Sequence, residues 1–491
     1  MSPESQARPA PPPTSQLLPL CVDCDGTLIK TDLLFESFLL LLKKHFLLAL
    51  CVPFWLITRG KARTKLRIAE LVTIDAALLP YSSEVLEYIA RCRAQHRSVV
   101  LATASAQKFA DAIARHLNCF DLVLATNAQD GVNLSAGVKA ERLVGLYGQG
   151  GFEYLGNSSD DLPVWRQAGR IAVAHASGSV LKAARQLGTA DQIAVTAGST
   201  LRAAVKAMRP HQWLKNLLIF VPLAMAHRLQ HTTLLHAMLA FASFGLCASS
   251  VYLLNDMLDI ESDRAHHSKK RRPFASGALS IPAGALLLAT CLGGSALLLW
   301  ALPPLFAVML GIYYITTLAY SFRLKRQVMV DIMLLSALYT LRILAGAAAT
   351  AVVPSFWLLS FSVFIFLSLA LVKRYAEMRT AASMAHRKAS GRGYSIDDLP
   401  VLLALGVASG FSAVQVLALY INSVEVNTLY HTPQVLWIIM PLMLYWISRI
   451  WLKTCRGEMH EDPVVFAAKD WQSIVIGAAV VAVSYVASLK F

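Results

Sequence analysis

The chain has 491 residues, of which 56% are apolar and only 15% charged, and 45 Lys and Arg stand against 30 Asp and Glu. That balance excludes a disordered or fibrous protein and a purely soluble enzyme, and it makes a polytopic membrane protein the leading class. The basic surplus is uneven: residues 1–200 hold 20 basic and 17 acidic side chains, the remainder 25 and 13. The surplus therefore belongs to the apolar part, where membrane topology explains it better than nucleic acid does.

Residues 1–16 are rich in Pro and Ser and read as a loose, disordered tail with no secretory signal. Eight cysteines are scattered without a framework spacing; Cys21 and Cys24 form a C-x-x-C beside two aspartates and read as reduced thiols. Residues 17–200 alternate short apolar runs (LLPLCVDCD, SVVLATAS, FDLVLATN, RIAVAHAS) with helical stretches. This predicts a parallel, Rossmann-like α/β sheet with its function at the carboxyl ends of the strands. Residues 33–90 form a helical cap in this reading. Within it, 33–57 is very apolar but broken by Lys43, Lys44 and His45, so each half is too short to span. We expect it to rest on the membrane surface, the alternative being an ordinary buried helix pair.

In Asp23-Cys24-Asp25-Gly26-Thr27 two carboxylates leave a strand end on the same side, since i and i+2 share a face. Such a pair can bind Mg²⁺, one acid attacking phosphorus while the other passes a proton to the leaving oxygen. Thr103 ends the next apolar run, with Ser105 as its rival for a phosphate oxygen. Lys139 is a lone cation suited to phosphate, and Gly156-Asn157-Ser158-Ser159-Asp160-Asp161 adds acids on another loop. Together these resemble the haloacid dehalogenase-like phosphatases, over about 20–190. The resemblance implies Asp23 as nucleophile, Asp25 as acid/base, Thr103 and Lys139 on phosphate, and Asp160 and Asp161 near a metal that Asp23 and Asp25 also approach. The family usually has Gly-Asp where this chain has Gly156-Asn157; an amide oxygen still ligates Mg²⁺ but brings no charge. A degenerate, regulatory fold is the alternative to an active hydrolase.

From about 205 onward nine apolar blocks follow, near 212–229, 232–254, 282–300, 303–320, 328–352, 355–373, 400–422, 433–453 and 472–490. Each is close to the ~20 residues a spanning helix needs. The expected class of 201–491 is thus an all-α polytopic membrane domain of nine transmembrane helices. The loops after the second, fourth, sixth and eighth blocks hold most of the Lys and Arg, and the opposite loops hold only Arg228. That places the N-terminal domain and these loops in the cytoplasm and the C-terminus outside an inner membrane.

At the end of the second block lies Asn255-Asp256-Met257-Leu258-Asp259-Ile260-Glu261-Ser262-Asp263. A continuing helix sets Asp256, Asp259 and Asp263 on one face, where a hard divalent ion with a polyphosphate is the obvious partner. Lys269, Lys270, Arg271 and Arg272 follow, suited to phosphate oxygens. The reading in which these acids and bases simply pair at a membrane boundary stands beside it. Lys215 and Asn216 open the first block, Lys325 follows the fourth, Asp331 and Arg342 lie in the fifth, and Lys373, Arg374 and Glu377 close the sixth. Arg342 at such depth is a functional-site hypothesis, its alternative a structural partner for Asp331 or a helix carbonyl. Glu461-Asp462 and Asp470 are expected chiefly to pair at the boundary.

N-D-x-x-D-x-x-x-D after a span, RPHQWLKN at the first block and LVKRYAE at the sixth resemble the UbiA superfamily of intramembrane transferases, over about 205–491. Within it, the segments look most like polyprenyl-phosphate phosphoribosyltransferases. The resemblance implies that Asn255, Asp256, Asp259 and Asp263 hold Mg²⁺–diphosphate, while Lys215, Lys325, Arg342, Lys373 and Arg374 contact donor or lipid phosphates. The implied partners are a polyprenyl lipid substrate, a diphosphate donor and membrane lipid, with no nucleic acid. An anionic lipid acceptor needs permanent cations in a low-dielectric pocket, which the basic second half offers. The fused phosphatase-like domain could then remove the product's 5-phosphate. The rival readings are a polyprenyltransferase acting on an aromatic acceptor such as 4-hydroxybenzoate, and a transporter or scaffold.

Overall fold

The computed structural model describes residues 17–127, 133–195, 199–226, 230–383, 393–459 and 462–489. The expected tail 1–16, Arg228 and Glu461 lie outside the described residues. The chain forms two compact units, Met1–Ala204 with Asp256–Gly284, and Val205–Asn255 with Ala285–Phe491.

In the first unit the strands are β1 (Leu20–Val22), β2 (Val99–Ala106), β3 (Leu122–Thr126), β4 (Glu153–Gly156), β5 (Arg170–Ala174) and β6 (Ala190–Ala194). They pair in the order β3-β2-β1-β4-β5-β6, all parallel. The order reverses beside β1, which is where such sheets open a crevice at their carboxyl ends. Alternation along the strands builds a core on each face: Leu20, Val22 and Leu101 join one cluster, Cys21, Val100 and Ala102 the other. Cys21 and Cys24 are both buried free thiols.

Helices α1 (Leu33–Lys44), α2 (Phe46–Ala49) and α3 (Val52–Leu71) form the cap after β1. Asp32 starts α1 by accepting the Leu34 amide at 2.8 Å. Gly60, at φ 75°, kinks α3, a conformation that costs other residues strain. Next come α4 (Ser83–Ala94), α5 (Gln107–Leu117), α6 (Ala136–Tyr147), α7 (Leu162–Trp165) and α8 (Gly178–Leu187) around the sheet, then α9 (Thr200–Met208).

The second unit is helical. A 3₁₀ segment, Pro210–Phe220, leads to the short α10 (Val221–Met225) and then to α11 (His231–Leu258). After α11 the chain returns to the first unit as α12 (Ile260–Ala265) and a turn, and the bundle resumes with α13 (Ile281–Leu299), α14 (Pro304–Phe322), α15 (Val330–Thr350) and α16 (Phe356–Ser383). It ends with α17 (Leu399–Ile421), α18 (Val424–Leu429), α19 (Ile439–Arg456), α20 (Pro463–Lys469) and α21 (Trp471–Ser488).

Among the described residues eight helices are long and apolar enough to cross a membrane, so the chain is a multi-pass membrane protein. The first of the nine expected blocks is the exception. Its apolar residues fold as the 3₁₀ segment and α10, because Pro210 and Pro222 punctuate it and proline cannot donate in a helix interior. The segment packs so tightly on α15 that a side chain at Gly346 would overlap the Ile219 carbonyl.

Candidate active sites

At the carboxyl end of β1 the buried Asp23 receives the Lys139 ammonium from α6 at 2.6 Å. The same ammonium donates to Tyr154 Oη at 2.7 Å, and that hydroxyl donates to Asp161 Oδ1 at 2.9 Å. Asp161 Oδ2 takes the backbone amides of Asn157 and Ser158 at 2.9 and 3.0 Å. Asp25 is held by the Leu33 amide at 2.8 Å and the Ser105 hydroxyl at 2.6 Å, with Thr103 Oγ1 at 3.5 Å. Thr103 and Ser105 both reach the site, Thr103 accepting the Ser105 amide at 3.0 Å. Four segments, the stretch after β1, β2, α6 and the turn after β4, thus bring together Asp23, Asp25, Thr103, Lys139 and Asp161. Asp160 is exposed on the loop: the turn that buries Asp161 points its neighbour outward, so the expectation for Asp160 is corrected.

Burial raises the Asp23 carboxyl above the ordinary carboxylate range in spite of Lys139, and burial with nearby Asp32 raises Asp25. A carboxyl at Asp25 that keeps its proton toward neutral pH suits an acid that must give it up. Asn157 stands over Gly26, whose φ of 76° and missing side chain make room for the amide; a Cβ there would overlap it. Asp23 and Asp161 with the Asn157 carbonyl oxygen are donors a hard divalent cation accepts. Two members escaped sequence reading, Tyr154 and Lys65. Lys65 crosses from cap helix α3 to donate to the Ala104 carbonyl at 3.2 Å, and burial lowers its pKa against the pull of Asp25.

The acidic motif also belongs to the first unit. The helix does not continue through it: α11 stops at Leu258, Asp259 takes φ −101°, ψ 12°, and α12 starts afresh. Arg272 Nη1 instead joins Asp256 at 3.0 Å and Asp263 at 2.7 Å, and Lys43 of α1 meets Asp259 at 3.0 Å. Arg264 makes a two-pronged pair with Glu36 of α1. Among the described residues no group of three or more His, Cys, Asp or Glu converges as a metal cluster. The donor set still has the right chemistry, carboxylate oxygens with a cation already seated between two of them.

The second unit gathers a separate polar cluster around Asp462, the residue just before α20. Lys215 of the 3₁₀ segment reaches its Oδ2 at 2.7 Å, Lys373 of α16 at 3.2 Å, and Tyr339 of α15 donates to Oδ1 at 2.8 Å. Lys373 and then Lys215 hold the Asp462 carboxyl well below the usual range, outweighing the burial that would raise it. Next to it the buried Arg342 donates to Asn216 Oδ1 at 3.1 Å, Tyr313 Oη at 3.2 Å and the Leu338 carbonyl at 2.6 Å. Its guanidinium lies over the rings of Phe244, Tyr313 and Tyr339. The buried Asn216 Nδ2 has no hydrogen-bond partner among the described residues, a donor left for a ligand.

Two expectations change here. Arg342 does not meet Asp331, which is buried against Arg374 and accepts the Tyr394 hydroxyl at 2.5 Å. Arg374 is fully buried between Asp331 and Glu377, a lock between α15 and α16, so it faces no phosphate. Lys325 sits half-buried in the 3₁₀ turn Leu324–Arg326 between α14 and α15. Asp470 pairs with Arg449 at 2.7 and 2.9 Å, as a boundary pair. An apolar cavity of about 600 Å³ is lined in part by Trp357, Phe361, Leu417, Tyr420 and Met443. Trp357 lies roughly 24 Å along α16 from Lys373 at the helical rise.

Residues 217–481 match the model of the UbiA prenyltransferase family. Uncharacterized protein y4nM of Sinorhizobium fredii is 37% identical over 94% of this chain and 90% of its own length. Nodulation protein NoeC of Azorhizobium caulinodans is 35% identical over 55% of this chain and 88% of its own. Decaprenyl-phosphate phosphoribosyltransferase of Mycobacterium tuberculosis is 37% identical over 39% of this chain, which spans 65% of that enzyme's length.

Proposed function

The chain belongs to the UbiA prenyltransferase family, and from that premise we propose that it moves 5-phosphoribose from phosphoribosyl pyrophosphate to a polyprenyl phosphate. The observation that carries the choice of acceptor is the cluster of Lys215, Lys373 and Arg342 inside an apolar bundle. Fixed cations in low dielectric are what a lipid phosphate needs and an aromatic acceptor does not. The mycobacterial relative, a decaprenyl-phosphate phosphoribosyltransferase, supports the same choice.

In this reading an oxygen of the lipid phosphate attacks C1 of the ribose, the C1–O bond to diphosphate breaks, and diphosphate leaves. Asn255, Asp256, Asp259 and Asp263 would hold Mg²⁺, which when bound neutralises charge on the departing diphosphate. Arg272, already between Asp256 and Asp263, is placed to meet a phosphate oxygen. Lys215, Lys373 and Asn216 Nδ2 bind the acceptor phosphate, Arg342 orients Asn216, and the apolar cavity takes isoprene units. The excess of Lys and Arg in alternate loops supports a cytoplasmic position for this chemistry.

The first unit would hydrolyse a phosphate monoester such as the product's 5-phosphate. Asp23 attacks phosphorus, Asp25 protonates the leaving oxygen, and Asp25 then takes a proton from the water that releases phosphate. Lys139 screens the transferred group, and Thr103 and Ser105 orient it. Purified full-length protein given labelled phosphoribosyl pyrophosphate and polyprenyl phosphate should yield a labelled lipid and free diphosphate. Label appearing only when prenyl diphosphate and 4-hydroxybenzoate are supplied would overturn the assignment.

A further inference from the structure

We propose that residues 46–57, α2 and the start of α3, are a membrane-surface anchor that seats the cap of the first unit in the headgroup layer of the bilayer. Phe46, Leu47, Leu50, Phe54, Leu56 and Ile57 all stand exposed, Leu47 at 77% and Ile57 at 86%. A soluble surface rarely leaves so contiguous an apolar patch in water. The helices themselves are short there: α1 ends at Lys44, α2 has four residues, and α3 kinks at Gly60. The segment is therefore a blunt apolar tip, too short to cross.

Charge around the tip selects the occupant. Lys44, Arg59, Lys61 and Arg63 are exposed on its flanks, the arrangement that lies on anionic lipid with apolar side chains below and cations at the headgroups. A second copy seated on the same patch about a two-fold axis would set these cations against their own kind. The chain's eight apolar helices keep a bilayer within reach at all times. The anchor holds whether or not the neighbouring site hydrolyses phosphate. If it does, the site works at the lipid surface, where a phosphate ester carried on a lipid presents itself.

Cys51 is an exposed thiol in the middle of the tip and supplies the probe. The full chain, with Cys119→Ser and Cys455→Ser, is labelled at Cys51 with a nitrobenzoxadiazole dye. It is then placed in nanodiscs of phosphatidylethanolamine and phosphatidylglycerol. Doxyl-labelled lipid should quench the dye at least twofold more than a control dye on Arg185→Cys in a Cys51→Ser background, and iodide should quench it less. The pair Leu47→Glu and Ile57→Glu should reverse both differences. A Cys51 dye as open to iodide as the control, or a chain that cross-links to a second copy through Cys51, would overturn the anchor.

Discussion

Glu36 and Arg264, 228 residues apart in sequence, form a buried two-pronged ion pair at 2.5 and 3.0 Å. The pair fastens α12, and with it the aspartate motif, to the first helix of the cap. Glu36→Gln leaves the guanidinium without its counter-charge, which costs about 3–5 kcal/mol when a buried pair is broken. We expect faster hydrogen exchange across 256–284 and a raised KM for the diphosphate donor, with hydrolysis at Asp23 little changed. Arg264 also holds the Ala275 carbonyl at 2.9 Å. A Glu36→Leu/Arg264→Met cycle should therefore show coupling above about 1 kcal/mol without full recovery. Independent effects of the two changes would refute the coupling.

Lys43 and Asp259 are a weaker pair, since both side chains are about a third exposed. An ion pair of that kind is worth about 0–1 kcal/mol. Lys43→Met should therefore leave the melting temperature almost unchanged. Asp259→Asn, by contrast, removes a carboxylate from the proposed diphosphate site and should lower kcat by roughly 10²–10³, the scale of losing one preorganised electrostatic contact. Equal, small effects of both would mean that Asp259 serves the surface pair alone.

What was legible in the sequence follows from how local each signal is. Asp23 and Asp25 could be read because both leave the carboxyl end of one strand, where β2 brings Thr103 and α6 brings Lys139. Asp462 could not: Lys215, Tyr339 and Lys373 reach it from three other elements, and no spacing encodes that meeting. Tyr154 and Lys65 were hidden for the same reason. The first apolar block misled because hydropathy counts side chains, whereas Pro210 and Pro222 govern its backbone. Arg374 looked like Arg342 in sequence, but burial against Asp331 fixed it as a lock.

Asp462 makes acid stability a test of the cluster. Its folded carboxyl is depressed, by Lys373 and Lys215 against burial, so the unfolded chain binds more protons as pH falls. Its contribution is complete above the unfolded value of about 4 and is lost as pH falls through the folded one. Asp462→Asn should cost about 3–5 kcal/mol at neutral pH by stranding the buried Lys215, and the gap to wild type should narrow toward pH 3. Melting midpoints in detergent across that range would show it; a gap that stays constant with pH would contradict the cluster's charge state.

Hydrolysis should carry its own pH signature. Asp23 attacks only when ionised, and burial raises its carboxyl while Lys139 opposes the rise. Activity is therefore lost as pH falls, along a limb lying above the ordinary carboxylate range near 4. Lys139→Met removes the opposing cation, so the limb should move to higher pH, together with a fall in kcat of about 10²-fold or more. A limb that stays in place with p-nitrophenyl phosphate would detach Lys139 from Asp23.

Asn157→Asp tests whether the amide is what limits the first unit. The exchange is nearly isosteric, and the side chain keeps its place over Gly26, where no Cβ competes. It adds a carboxylate beside Asp23 and Asp161, which already crowd one lysine. Without metal the added negative charge is poorly compensated, so the melting temperature should fall. With Mg²⁺ the extra charge becomes a ligand, and because ligand charge tunes divalent affinity over decades, the concentration giving half-maximal hydrolysis should drop roughly tenfold. The two effects have opposite signs, so a general loss of folding cannot imitate both. If Mg²⁺ neither restores the melting temperature nor sharpens hydrolysis, Asn157 stands away from the metal, and the first unit serves the aspartate motif through Glu36 rather than through chemistry of its own.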